Sequence, residues 1–403
     1  MGIPMESIAQ DVVDDAVAQG RAPGLVGLID GPEGRAVVTA GVMEPGRPEP
    51  MRADAVFRLA SLTKPVMAAL VMTLIDAGLL ALDDPVERWL PELATPSVLR
   101  TPTAALDDVV AARRPILVED LLTFRAGYGF PTDFSLPWVE RLLELSGGGP
   151  APRLETDADH WIEALATLPL LHQPGDGWLY NTCSDIQGVL VSRVLDRPLG
   201  EALAERLLDP LGMVDTGFHV PPADAHRVPS SVEVDDDGVR VRQSGAGTWT
   251  QPARFASGSG GLVSTVSDWA AFAAMLLAGG VAPDGRPILS QRSVSAMTTD
   301  HTTADQRTSA GIFLDGQGWG YGGSVDIAAI DSWNVPGRYG WMGGSGTAGY
   351  IVPSTGVTVL LFGQVVFTGP GTPDYTGRFL DLAVPRPNPP VGARAGDQPT
   401  LTP

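Results

Sequence analysis

The chain has 403 residues, long enough for two lobes or one large mixed domain with a sizeable core. Hydrophobic residues make up 44% and charged residues 18%, so the chain folds, and 48 glycines with 36 prolines point to many turns. The excess of 47 acidic over 27 basic residues gives a formal net charge of −20 and excludes nucleic acid and anionic membrane surfaces as partners, since phosphates are held chiefly by Lys and Arg.

In chain order, Ile8, Val12 and Ala16 place an apolar stripe on an opening helix that Gly20 and Pro23-Gly24 end. Residues 25–29 and 36–40 read as an antiparallel hairpin around Gly31-Pro32-Glu33-Gly34. Helical spacing then runs through 66–78, 118–124, 137–146, 159–169, 184–195, 199–208 and 266–278. Strands return at 348–352 and 357–362 with Pro353-Ser354-Thr355-Gly356 between them, and 373–383 predicts a closing helix. This pattern predicts an α/β lobe from residues 1–60 and 285–383, with an antiparallel sheet, and an inserted, mainly helical lobe from 61–284. Residues 384–403 read as a loose Pro-rich tail.

Cys183 is the single cysteine, which leaves no internal disulfide and no cysteine-based zinc cluster, and its neighbours predict a small buried packing residue. The five histidines, His160, His172, His219, His226 and His301, form no spaced metal pair, so no metal and no cofactor is expected. No basic leader precedes an apolar stretch, and the run 66–75 stops at Asp76, short of the roughly 20 residues that cross a bilayer. A cytoplasmic location away from membranes is the expectation.

The most informative residue is Lys64, the single lysine of the chain, three residues after Ser61 in Arg58-Leu59-Ala60-Ser61-Leu62-Thr63-Lys64-Pro65. One helical turn puts both on one face. A serine hydroxyl attacks only when a base takes its proton, and a desolvated lysine amine supplies one. A helix cap beside a solvated lysine would use the same two residues. However, arginine serves for solvation everywhere else in this chain, and only deprotonation requires an amine. No GxSxG elbow occurs, which disfavours a Ser-His-Asp enzyme.

Tyr180 lies in Trp178-Leu179-Tyr180-Asn181-Thr182-Cys183-Ser184-Asp185, at a loop-to-helix junction. Alone it reads as a packed aromatic. Beside Lys64, the cation would favour its phenolate and make the pair a general base and then acid. Gly340-Trp341-Met342-Gly343-Gly344-Ser345-Gly346-Thr347 opens the last hairpin. Its glycines suit either a flexible strand entry or an oxyanion hole formed by the amides of Gly344 and Ser61. Ser257-Gly258-Ser259-Gly260-Gly261-Leu262-Val263-Ser264 lacks the ending of a phosphate loop and reads as a tight turn.

Ser61-x-x-Lys64, the Tyr180 motif and Trp341-x-Gly343, in that order, resemble the serine β-lactamase and penicillin-binding-protein superfamily, and within it the class C-like hydrolases that include family VIII carboxylesterases. The likeness spans about residues 5 to 383. It implies a β-lactamase-like fold, Ser61 as acylated nucleophile, Lys64 and Tyr180 as base system, and Gly344 completing the oxyanion hole. Two departures stand out. Thr182 occupies the place of an asparagine, with Asn181 one position early, and Trp341-Met342-Gly343 replaces Lys-Thr-Gly. The cation that would receive a substrate carboxylate is replaced by an aromatic face, with Arg338 near in sequence. Because an unpaired carboxylate is costly to desolvate, the site should prefer neutral or apolar acyl groups. Trp341, Gly343, Tyr128, Phe130 and Thr182 are the expected substrate-facing residues. The predicted activity is a carboxylesterase on small-molecule esters or amides. Acyltransferase, amidase, peptidase or β-lactamase chemistry through the same acyl-enzyme, or a low-turnover sensor, are the alternatives.

Overall fold

The computed structural model describes residues 5–146, 151–235, 237–367, 369 and 371–385. The predicted Pro-rich tail, beyond Val384 and Pro385, lies outside the described residues. Helix α1 (Met5–Ala18) leads into strands β1 (Gly24–Gly31) and β2 (Gly34–Gly41). The middle of the chain supplies α2 (Thr63–Asp76), α3 (Thr182–Leu195) and α4 (Val266–Leu277), among shorter helices. The C-terminal part adds β3 (Gly318–Trp319), β4 (Ser324–Val325), β5 (Tyr339–Gly343), β6 (Thr347–Val352), β7 (Val357–Gly363) and α5 (Asp374–Leu380).

These seven strands form one antiparallel sheet in the order β2-β1-β7-β6-β5-β4-β3, so the two ends of the chain meet at the β1–β7 pair. Side-chain alternation assigns its two faces. Leu25, Ile29, Tyr350, Val352, Val359 and Leu361 point to an outer layer made by α1 and α5, where Val12, Val13, Ala16, Phe379 and Leu380 are buried. Val26, Leu28, Ile351, Leu360 and Phe362 point the other way, into the main core with α2 and α4. The result is a mixed α/β architecture with terminal helices on one face of an antiparallel sheet and the helical middle on the other.

Several boundaries differ from the sequence reading for local reasons. Helix α2 begins at Thr63, not 66, because Pro65 falls in its first turn, where its missing N–H costs nothing. The run 199–208 splits into a short α-helix (Leu199–Leu203) and a π-turn (Ala204–Leu208). A hairpin at Ser231–Asp235 and Gly238–Gln243 was missed although its valines alternate with charged residues, and the two-residue strands β3 and β4 are too short to show a period. Among the described residues no helix is long and apolar enough to cross a membrane.

Candidate active site

The approach to Ser61 is fixed by backbone pairing. Phe57–Arg58 pairs antiparallel with Val263–Ser264, and the Leu59 amide donates to the Leu262 carbonyl at 2.8 Å. From the sheet side, Thr347 Oγ1 donates to the Leu59 carbonyl at 2.9 Å, and the Ser345 hydroxyl donates to the carbonyl of Arg58. Ala60 then takes φ +45°, a left-handed conformation that residues with a Cβ adopt at a cost on the order of 1–3 kcal/mol. This strained step turns the chain into the short 3₁₀ turn Ala60–Leu62, which runs directly into α2. Ser61 is thereby left half-buried where Lys64 can reach it.

Lys64 is completely buried, with Nζ 2.8 Å from Ser61 Oγ and donating to the Ser259 carbonyl at 2.7 Å. Burial pushes its pKa down to about 7, opposed by the negative charge of Asp185. At neutral pH a large share of the amine is therefore uncharged, and its lone pair can accept the Ser61 proton. The carbonyl of Ser259 is held in turn by Asp185. Its Oδ1 accepts from the Ser259 amide at 3.0 Å and from Ser257 Oγ at 2.7 Å, while Oδ2 pairs with Arg153 at 2.9 Å. Both members of that ion pair are buried or nearly so. The Ser257–Ser264 segment does turn, but its role as the seat of Lys64 left no mark in the sequence.

Tyr180 is bonded through its backbone to Phe130, at 2.8 and 3.0 Å. Gly129 permits this approach, since a Cβ there would fall 2.6 Å from the Tyr180 carbonyl. Immediately after it, Asn181 has φ +86° and ψ −66°, and the Thr182 amide donates back to the Tyr180 carbonyl at 3.2 Å, forming a strained γ-turn at the start of α3. Lys64 Nζ lies 4.7 Å from the centre of the Tyr180 ring. Trp341 Nε1–H donates to the Tyr180 hydroxyl at 2.7 Å. Burial pushes the phenol up to about 12, with hydrogen bonding to Ser61 and Trp341 opposing it. Desolvation outweighs both hydrogen bonds, so Tyr180 is a neutral phenol and not the expected phenolate. The pair is set as an amine close to half-protonated beside a neutral phenol.

The third motif ends strand β5. A Cβ on Gly343 would fall 2.0 Å from the Leu59 carbonyl, so only glycine lets the strand end so close to the approach to Ser61. Gly344 follows at an exposed turn, with its carbonyl accepting from the Phe367 amide at 2.8 Å. Trp341 faces the main core, whereas Arg338 belongs to the outer face of the sheet. There its buried guanidinium pairs with Asp326 at 3.0 Å and lies over Trp333 and Tyr350, 4.2 and 4.3 Å from their ring centres. It does not stand in for the replaced motif cation.

Two of the expected substrate-facing residues lie elsewhere. Tyr128 is buried in the core, donating its hydroxyl to the Leu168 carbonyl at 3.2 Å, because the chain turns at Gly127 and Gly129 and alternation sends its ring inward. Thr182 is buried at the first position of α3, and its Oγ1 meets no partner among the described residues. Phe130 is half-buried with its ring stacked on Phe134. The walls around Tyr180 are instead Phe313 at 4.6 Å, Trp341 at 5.7 Å, Trp178 at 6.0 Å and Phe124 at 6.2 Å between ring centres. Phe313 sits in the four-residue helix Gly311–Leu314, too short to announce itself. Cys183 is fully buried, and burial pushes its thiol up to about 12, as a packing residue requires.

With this geometry in view, the comparisons with known proteins are consistent. The family model for beta-lactamase matches residues 9–381. Protein Rv1367c of Mycobacterium tuberculosis is 39% identical over 322 residues, covering 77% of this chain and 78% of its own. Esterase EstB of Burkholderia gladioli is 31% identical over 354 residues, covering 82% of each. Among solved structures, EstCE1, described as a hydrolase with promiscuous acyltransferase activity, superposes with a TM-score of 0.79 at 23% identity, covering 94% of this chain and 98% of its own. The chain belongs to the beta-lactamase family. It is a serine hydrolase of the beta-lactamase type, esterase-like.

Proposed function

We propose that the protein is a carboxylesterase that hydrolyses small neutral or apolar esters through an acyl-enzyme on Ser61. The observation that carries this reading is the buried Lys64 amine, 2.8 Å from Ser61 Oγ and held near half-protonation at neutral pH. In the first half-reaction Lys64 takes the Ser61 proton as Oγ bonds to the ester carbonyl carbon. The amides of Ser61 and Gly344 hold the oxyanion. As the tetrahedral centre collapses, the bond to the alcohol oxygen breaks. That oxygen takes a proton from the Tyr180 hydroxyl, which Lys64 then replenishes. Water repeats the sequence in reverse and releases the acid.

The preference for uncharged acyl groups follows from Trp341 standing where the family pattern has a cation, and from Arg338 being spent on Asp326 behind the sheet. Transfer of the acyl group to an alcohol uses the same intermediate. The test is steady-state hydrolysis of a short-chain nitrophenyl ester and of a chromogenic cephalosporin, by the native protein and Ser61→Ala. Ester turnover abolished by the substitution, with the cephalosporin untouched, is the expected result. Turnover of the cephalosporin at a comparable rate would overturn the preference, and ester turnover surviving in Ser61→Ala would overturn the mechanism.

A further inference from the structure

An unbroken run of aromatic rings leads from Tyr180 to the surface. Phe313 stacks on the Tyr180 ring, with centres 4.6 Å apart and planes inclined by 26°. Phe134 follows, 6.3 Å from Phe313, and stacks at 5.8 Å and 13° on Phe130, whose backbone is paired with Tyr180. Phe134 is 50% exposed, a large apolar surface to leave in water beside a reaction site. These rings come from separate segments that are tied together. Thr132 Oγ1 donates to the Ser309 carbonyl at 3.1 Å, and Gln306 Nε2 donates to the carbonyls of Gly175 and Asp176, both at 3.1 Å, on the loop that leads to Tyr180. The wall is therefore built before any ligand arrives.

Its place beside Tyr180 decides which part of an ester it meets. The tetrahedral centre carries Ser61 Oγ, the oxyanion, the acyl substituent and the alcohol oxygen, and only the last must come to the proton-carrying hydroxyl of Tyr180. We propose that Phe313, Phe134 and Phe130 form a subsite for an aryl or bulky apolar group on the alcohol, and that the enzyme transfers acyl groups to such alcohols in preference to small ones. The inference rests on the Ser61 acyl-enzyme reading. In the transfer step the alcohol oxygen bonds to the acyl carbon and the Ser61 Oγ–carbon bond breaks. The alcohol proton passes through Tyr180 to the Lys64 amine, and a proton returns to Ser61. No other reactant is required. The site that holds a departing alcohol also holds an incoming one, since the two half-reactions mirror each other.

The experiment supplies 4-nitrophenyl acetate or, in parallel, 4-nitrophenyl hexanoate as donor with benzyl alcohol and methanol together at equal concentration, and measures nitrophenol, the benzyl and methyl esters and the free acid. The native enzyme should form benzyl acetate over methyl acetate by about tenfold, the order of selectivity that one or two aromatic contacts provide. Phe134→Ala, at a half-exposed position that tolerates truncation, and Phe313→Ala should each lower that ratio several-fold. Nitrophenol release with a product ratio near unity, or with a ratio unchanged in both variants, would overturn the inference while leaving the acyl-enzyme intact. Variants that shift preference between acetyl and hexanoyl donors but not between the two alcohols would assign the wall to the acyl group, which also overturns it. Absence of nitrophenol release from the native enzyme would remove the acyl-enzyme reading, and the inference with it.

Discussion

Lys64 can act because its buried amine, unlike a guanidinium, gives up its proton near neutral pH. An arginine in its place would stay charged. Lys64→Arg should therefore lower kcat/KM for esters by about a thousandfold or more, and the native pH profile should rise through about 7, as the amine loses its proton, to a plateau above it. A profile flat across this range would argue against the amine as base. The same burial has a stability cost with a definite sign. Between 10.5 and about 7 the unfolded chain binds a proton that the native site refuses, so native stability falls as pH drops through that window and is level below it. Lys64→Met should raise Tm at pH 7, and the gain should shrink as pH approaches 10.5. As candidates, Lys64 stood out as the single lysine, Ser61 by standing three residues before it, and Tyr180 only in their company. The protonation state of Tyr180 was not, since it depends on burial that no sequence spacing reports.

At the scale of elements, the site depends on segments that support it without reacting. The Asp185–Arg153 pair anchors the Ser257–Ser259 turn, and that turn presents the carbonyl on which Lys64 rests. Asp185→Asn keeps the amide acceptor but leaves Arg153 buried beside a neutral group, a change that costs about 3–5 kcal/mol. Thermal unfolding should show a lower Tm. The acid limb of the activity profile should also move to lower pH, because the charge that holds the Lys64 pKa up has gone. A lower Tm with an unmoved limb would reduce Asp185 to a purely structural residue. The sequence showed the Ser-Gly segment as a turn and Asp185 as the end of a motif. It could not show that residues 74 positions apart meet. Phe313 was missed for the same reason: a single aromatic in a four-residue helix has no period, and only the fold brings it onto Tyr180.

Across the whole molecule, the sheet separates chemistry from support. One face carries Trp341 toward the site, while the other is sealed by α1 and α5. Phe379→Ala in that outer layer should destabilise the protein by about 3–5 kcal/mol, with kcat per folded molecule unchanged. A matching loss of kcat would mean that the two faces are coupled. The long strands and helices of this plan were readable from apolar runs bounded by turn residues and from helical spacing, whereas β3 and β4, two residues each, carry no period and owe their existence to their neighbours. Catalysis through an acyl group on Ser61 is tested by the intact mass of the enzyme, acid-quenched during turnover of 4-nitrophenyl acetate, followed by peptide mapping. The peptide containing Ser61 should gain one acetyl group, and in Ser61→Ala both the adduct and turnover should be absent. Turnover that proceeds without any adduct and persists in Ser61→Ala would contradict the acyl-enzyme.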